Sequence, residues 1–374
     1  MKYNEICFII IIIIIVIVII YIVKNNFLKN EKFDNSIYWN NNNCKSDLNS
    51  ILEEELKKAN ITYDDNKWTL YFPCSYNSIK DELENIPIKE GGKYFIIDEV
   101  DQMAGKDYLW ENLVKYYGVN KAEKLVPKSY ILGIDNDLKE FEKNYDPKKI
   151  YILKKNIQKQ EGLKITNNKN EILNAKKDNY KLVQELLQNP YLVNGRKINL
   201  RCYVLVVCTD SGMTVYNYND GFIYYTPNLF KKNSLVADDN ITTGYIDRKV
   251  YDENPLTHQD LIKFMNSKYK NNYESKVCFD RINNLLREVF VSFKDVIYKN
   301  NKFKYKNITM FQLFGVDVAI DDKLYPKIME INKGPDLNAK DERDKKLKSS
   351  VVNNILKIIG VVNNNNKNNF VKII

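Results

Sequence analysis

One stretch constrains this chain more than any other: residues 311–335, "FQLFGVDVAIDDKLYPKIMEINKGP". Val316, Val318 and Ile320 alternate with Asp317 and Ala319, and Met329 and Ile331 alternate with Glu330 and Asn332. That two-residue period is the mark of strands with one apolar face. An antiparallel hairpin centred between Lys323 and Leu324 sets Asp317 opposite Glu330, side chains roughly 5 Å apart, with Asn332 beside them. Two carboxylates facing each other on a largely buried sheet repel and lose solvation unless a cation lies between them. Oxygen donors without histidine suit Mg²⁺, which leaves its other positions to water and nucleotide phosphates. A solvated sheet face paired to lysines explains the hairpin, taken alone, equally well.

Two further segments bear on that choice. Residues 191–207, "YLVNGRKINLRCYVLVV", place Lys197, Asn199 and Arg201 on one face of a strongly β-forming strand. Such a cationic row holds phosphates or, in the bland case, guards an exposed sheet edge. Upstream, "YKLVQELLQNP" ends a strand at Val183 and Gln184 and is able to present amide and backbone groups to an adenine ring.

Together these segments resemble the tubulin tyrosine ligase-like family of the ATP-grasp superfamily, over roughly residues 95 to 360. The family's "GRKFDLRVYVL" is similar to "GRKINLRCYVL" here, its "ELFGYDFMID" to "QLFGVDVAID", and its "LLEVNxxPSL" to "IMEINKGPDL". The resemblance implies an α/β (α+β) ATP-grasp fold with an N-terminal α/β subdomain. It implies Asp317, Glu330 and Asn332 as ligands of Mg²⁺, as two ions, with Lys154 of "YILKKN" on the phosphates of ATP. Lys197 and Arg201 line the same cleft and, with Glu330, form the implied catalytic set. Gln184 and the backbone of Glu185 and Leu187 hold adenine, Thr242 of "NITTGY" touches ribose or phosphate, and Lys106 is a further phosphate contact. Glu161-Gly162-Leu163 resembles the end of a phosphate flap. This chain departs from the family at Asn199, where Asp is usual, at Thr243, where Asn is usual, and at Tyr224, where an arginine is expected.

The implied activity is an ATP-dependent carboxylate-amine ligase that adds a free amino acid to a protein carboxylate through an acyl-phosphate. The alternative is a nucleotide-binding scaffold without ligase activity, motivated by Tyr224 and the glycine-poor flap. A net charge of +9 favours an acidic protein partner, tubulin or another glutamate-rich tail. Nucleic acid ranks low, because the lysines are scattered rather than gathered on one helix or among stacking aromatics. With His258 the single histidine, histidine-rich metal sites are excluded. Its setting, "NPLTHQDLIKF", reads as an exposed first helical turn.

A chain of 374 residues exceeds what one core usually organises. Ile6 to Val23 carries no charge and, as a helix, would reach roughly 27 Å, close to the thickness of a bilayer's hydrocarbon. The expected organisation is a transmembrane anchor over 1–24, a polar Asn-rich linker over 25–49, an α/β subdomain over 50–147, the catalytic region over 148–362 and a flexible tail over 363–374. Lysines after the anchor place the body in the cytosol, as a single-pass membrane protein. Cysteines 7, 44, 74, 202, 208 and 278 show no paired spacing and read as free thiols in a reducing compartment.

Overall fold

The computed structural model describes residue 16 and residues 37–41, 44, 48–76, 79–156, 162–299, 307–362 and 367–374. Its strands begin with β1 (Tyr38–Asn40), β2 (Thr62–Tyr63), β3 (Leu70–Tyr71), β4 (Lys93–Tyr94), β5 (Ser129–Ile131), β6 (Tyr151–Lys154) and β7 (Leu163–Thr166). They continue with β8 (Leu182–Glu185), β9 (Leu192–Val193), β10 (Arg196–Thr209), β11 (Gly212–Tyr225), β12 (Thr309–Ile320), β13 (Pro326–Asn332) and β14 (Phe370–Lys372). Two sheets result. The larger runs β14-β11-β10-β12-β4-β3-β1-β2, with β13 added to β12 and β9 to β10, and the smaller runs β5-β8-β6-β7.

The large sheet forms because β10, β11 and β12 are long runs of β-branched and aromatic residues, which suit a pleated surface buried on both faces. Val204, Leu205 and Val206 are fully buried, as are Val316 and Val318. Helices cover the sheet. The helix Tyr273–Ser292 buries Ile282, Leu285, Leu286, Val289 and Phe290, apolar positions three and four apart, each contributing roughly 1.5–3 kcal/mol on burial. The helix Glu342–Ile358 starts where the Asp341 side chain accepts the Asp344 amide at 2.8 Å, a cap worth about 1 kcal/mol. The small sheet has its own core of Tyr130, Phe141, Tyr151, Leu153 and Val183.

Several expectations are corrected by this architecture. The chain does not divide at 147: β5 and the helix Asp135–Asn144 pack with the small sheet, while β3 and β4 of the preceding segment join β12 in the large one. Residues 38–40, assigned to a linker, form β1, because Trp39 packs edge-on to Tyr63 and Phe72. Residues 370–372, assigned to a flexible tail, pair with β11 and set Phe370 against Tyr218 at 5.0 Å. Cys44 and Cys74, read as free thiols, form a disulfide with Cα atoms 5.5 Å apart. Their separation of thirty residues is bridged by the fold, so the cysteine argument for a reducing compartment falls. His258 is buried rather than exposed, since its ring lies over Gly221 and 5.5 Å from Phe279, and burial pushes its pKa down to about 3.

The single-pass membrane expectation is also corrected. No helix among the described residues is long and apolar enough to cross a membrane. The run 6–23 on which that expectation rested lies, apart from Val16, outside the described residues, as does Glu161 of the flap.

Candidate functional site

The two sheets face each other across a cavity of about 480 Å³. Its polar floor comes from three adjacent strands. Arg201 on β10 is paired in register with Asp317 on β12, and Asp317 with Glu330 on β13. Cross-strand neighbours point to the same face, so the three side chains form one row, as the alternation in the sequence requires. A bulge follows: Val318 pairs with Ile328, leaving Met329 as the extra residue, and its side chain joins the cavity lining beside Glu330. Gly315 pairs with Asn332 in the next row. A Cβ at Gly315 would stand 2.7 Å from Arg201 Nη1 and 2.9 Å from Pro335 Cβ, so glycine is what lets the guanidinium lie flat there.

Arg201 donates to both oxygens of Asp317, Nε at 2.6 Å and Nη2 at 3.1 Å, and its guanidinium carbon lies 5.1 Å from the centre of the Tyr224 ring. Burial works against the Arg201 charge and the Asp317 carboxylate more than restores it, so the group stays protonated. Burial raises the Asp317 pKa, Arg201 opposes the rise and Glu330 adds to it. Lys106, at the start of the helix Lys106–Tyr117, stands 3.8 Å from Glu330. Lys154 at the end of β6 and Lys197 on β10 are 6% and 2% exposed. Burial lowers both to about 8; Glu330 partly offsets this at Lys154, whereas Lys154 adds to it at Lys197.

An apolar slot lies beside this floor, made by Ile152, Leu163, Leu186, Ile241 and Met329. The remaining lining is polar and cationic and includes Arg248, Lys340, Lys348 and Asp344. Of the residues singled out in the sequence, Lys106, Lys154, Lys197, Asn199, Arg201, Tyr224, Thr242, Asp317, Glu330 and Asn332 all line the one cavity. Gln184, Glu185 and Leu187 do not. Gln184 pairs in register with Ile152 and so lies on the slot's face of β8, where it donates to Ser129 Oγ at 2.9 Å and lines a narrow cleft that shares Lys106, Lys154, Met329 and Glu330 with the cavity. Glu185 pairs with Lys149 at 2.9 Å, and its amide is used by the Lys128 carbonyl. Their neighbour Leu186 is the residue that reaches the slot.

Sequence reasoning missed Ile152, Leu186 and Ile241, along with Arg248, Lys340 and Lys348. A signal existed for two of these: Ile152 is two residues from Lys154 on one strand, and Lys348 is four residues from Asp344 on one helix. The others needed the fold.

Asp317, Glu330 and Asn332 offer hard oxygen donors, and the Asn199 Oδ1 atom in the same cavity is buried with no hydrogen-bond partner among the described residues. Repulsion between Asp317 and Glu330 and this orphaned acceptor both fit a divalent cation. Among the described residues no three His, Cys, Asp or Glu side chains converge as a metal cluster; the set here is two carboxylates and an amide.

A family model described as "Tubulin-tyrosine ligase family" matches residues 98–369, well over half of the chain. The chain belongs to the tubulin-tyrosine ligase family. It is similar to the "Probable tubulin polyglutamylase TTLL9" of Bos taurus, 29% identical over 185 residues that cover 49% of this chain and 39% of that protein. Against the "Probable alpha-tubulin polyglutamylase Ttll1" of Tetrahymena thermophila it is 29% identical over 186 residues, 48% of this chain and 43% of the relative. A longer alignment to the "Tubulin polyglutamylase TTLL6" of Mus musculus has 25% identity over 315 residues, 80% of this chain and 37% of the relative. The chain thus spans about two fifths of the length of these family relatives. The mixed α/β architecture with two facing sheets agrees with membership of the family and of its ATP-grasp superfamily.

Proposed function

We propose that this chain is an ATP- and Mg²⁺-dependent carboxylate-amine ligase that joins an amino acid to a carboxylate of an acidic protein. The observation that carries this reading is one cavity in which buried Lys154 and Lys197 meet Asp317, Glu330 and Asn332 from facing sheets. The relatives' printed names support tubulin as the acceptor and glutamate as the residue added.

The apolar slot of Ile152, Leu163, Leu186, Ile241 and Met329 takes the flat base, with Thr242 beside the sugar or phosphate. Lys154 and Lys197, with Lys106 nearer Glu330, meet the phosphates. Held by Asp317, Glu330 and Asn332, Mg²⁺ would supply charge neutralisation on the oxygens of the phosphoryl group in transfer. A substrate carboxylate oxygen attacks the γ-phosphorus, the bond to the bridging oxygen breaks, and ADP leaves, giving an acyl-phosphate. The incoming amine then attacks the acyl carbon, loses a proton to solvent and expels phosphate, giving the amide. Arg201, fixed by Asp317 and supported by the Tyr224 ring, faces the anionic centre formed in each step. Charges placed in advance within a partly dry cavity are worth more than in water.

A nucleotide-binding scaffold without ligase activity is favoured by one observation: Arg201 already engages both oxygens of Asp317. Calorimetric titration with ATP, with and without Mg²⁺, and transfer of radiolabelled glutamate to tubulin distinguish the two. The ligase reading expects Mg²⁺-dependent ATP binding, label transfer, and at least a hundredfold loss of transfer in Glu330→Gln. Tight ATP binding without any transfer supports the scaffold, and absence of ATP binding refutes both.

A further inference from the structure

The cations that line the cavity differ in what they already hold. Arg201 is bound to Asp317 and Lys106 lies near Glu330. Arg248 donates from Nε to Asp341 at 2.8 Å, and Lys348 is 2.9 Å from Asp344 in a pair buried on both sides. Each of these charges has a carboxylate of its own. Recruiting Arg248 or Lys348 to a substrate would strand Asp341 or Asp344 without its partner, and for the buried Asp344 that is costly.

Lys340 is placed differently. Its ammonium donates to the backbone carbonyl of Gly244 and rests 4.3 Å from the centre of the Tyr245 ring. Both partners are neutral. Among the described residues no carboxylate lies within ion-pair distance of it; Asp336 and Asp344 act on it only from farther off. Lys154 and Lys197 share this lack of a carboxylate partner but are buried at the floor, whereas Lys340 is exposed at the mouth. An anion arriving there breaks no ion pair.

The surrounding geometry connects Lys340 to the chemistry. A Cβ at Gly244 would stand 3.2 Å from the Tyr224 ring and 3.6 Å from Lys340 Nζ, so the ammonium, the glycine and the ring are contiguous. Arg201 lies over that same ring. A substrate carboxylate at Lys340 is therefore separated from Arg201 by the span of the Tyr224 ring.

We infer that Lys340 is the cation that captures a substrate carboxylate at the mouth of the cavity, exchanging the Gly244 carbonyl for it. This rests on the ligase reading and names the residue that selects for acidic substrates. A carboxylate could come from an acidic peptide or from the free amino acid, and the test separates them.

Fluorescein-labelled hexaglutamate, hexaglutamine and unlabelled L-glutamate are titrated into the full chain with Mg²⁺ and ATP present, by anisotropy for the peptides and calorimetry for the amino acid. ATP affinity is measured on the same samples. In Lys340→Ala, hexaglutamate affinity is expected to fall about tenfold with hexaglutamine unchanged, and Lys340→Arg is expected to restore most of it. A fall in L-glutamate affinity alone also supports the inference and assigns the carboxylate to the free amino acid. Unchanged affinities for both acidic probes, or an equal loss for hexaglutamine, overturns it while intact ATP binding leaves the ligase reading standing. Failure of the unaltered chain to bind ATP overturns the ligase reading and this inference together. Lys340 is exposed, so both variants are expected to fold, with unchanged thermal midpoints as the check.

Discussion

Replacing Lys197 by methionine is expected to stabilise the ligand-free chain while removing its response to nucleotide. Lys197 is 2% exposed, and burial, with repulsion from Lys154 behind it, lowers its pKa to about 8 from the ordinary 10.5. Below pH 8 both the folded and the unfolded chain carry the proton, and the folded state bears the cost of a buried charge. The gap between the two values corresponds to about 3 kcal/mol at neutral pH. Between pH 8 and 10.5 the unfolded chain binds more protons than the folded one, so stability rises with pH and the cost fades. Methionine keeps the length of the stem without the charge, and the variant should melt on the order of 5 °C higher at pH 7. Thermal unfolding followed by circular dichroism, at pH 7 and at about pH 9.5, reads this directly: the variant's advantage should shrink to less than half by the higher pH. Mg²⁺ with ATP should raise the melting temperature of the unaltered chain and leave that of the variant in place. A variant less stable than the parent at pH 7, or an advantage independent of pH, would refute the argument that Lys197 is held charged and buried to meet an anion.

Gly315→Ala should cost about 1–3 kcal/mol by overpacking, because the added methyl meets Arg201 Nη1 and Pro335; urea unfolding and the Mg²⁺-ATP thermal shift should both decline, and an unchanged pair of values contradicts the packing argument. Reducing Cys44–Cys74 should remove about 3.5 kcal/mol of loop-closure stabilisation for a thirty-residue loop. Dithiothreitol should therefore lower the melting temperature of the parent, whereas Cys44→Ser should start at the lower value and not respond.

How much of the site could be read in advance depends on the kind of element carrying each residue. Asp317 and Glu330 could be set opposite one another from letters alone because a strand has a period of two and a hairpin has one register that keeps its apolar residues buried. Lys197, Asn199 and Arg201 share a face for the same reason. The bulge at Met329 was not visible, since an extra residue leaves the local alternation nearly intact.

Gln184 shows where that reasoning stops. Alternation puts Gln184 and Leu186 on one side of the strand, and the structure keeps them there, opposite Ile152 and Ile150, but the period does not say which of the two lines the slot. Gln184 is held by Ser129 in a narrow cleft beside the cavity, and Leu186 lines the slot. His258 is similar: its flanking polar residues mark a helix start, with a capping box between Thr257 and Asp260, but whether that first turn meets solvent depends on where β11 passes.

The amino-acid sequence by itself determined the long strands of the large sheet, the major helices, the carboxylate pair and the cationic row, because each is a short-range pattern in which a few neighbouring residues must agree. Tertiary structure alone decided that the cationic row, Lys154 and the carboxylates share one cavity, that Cys44 meets Cys74, that residues 38–40 and 370–372 complete the sheet, and that Lys340 stands at the mouth with no carboxylate among the described residues within ion-pair distance. These depend on contacts between segments tens to hundreds of residues apart, and no local period encodes which distant surface a side chain will face.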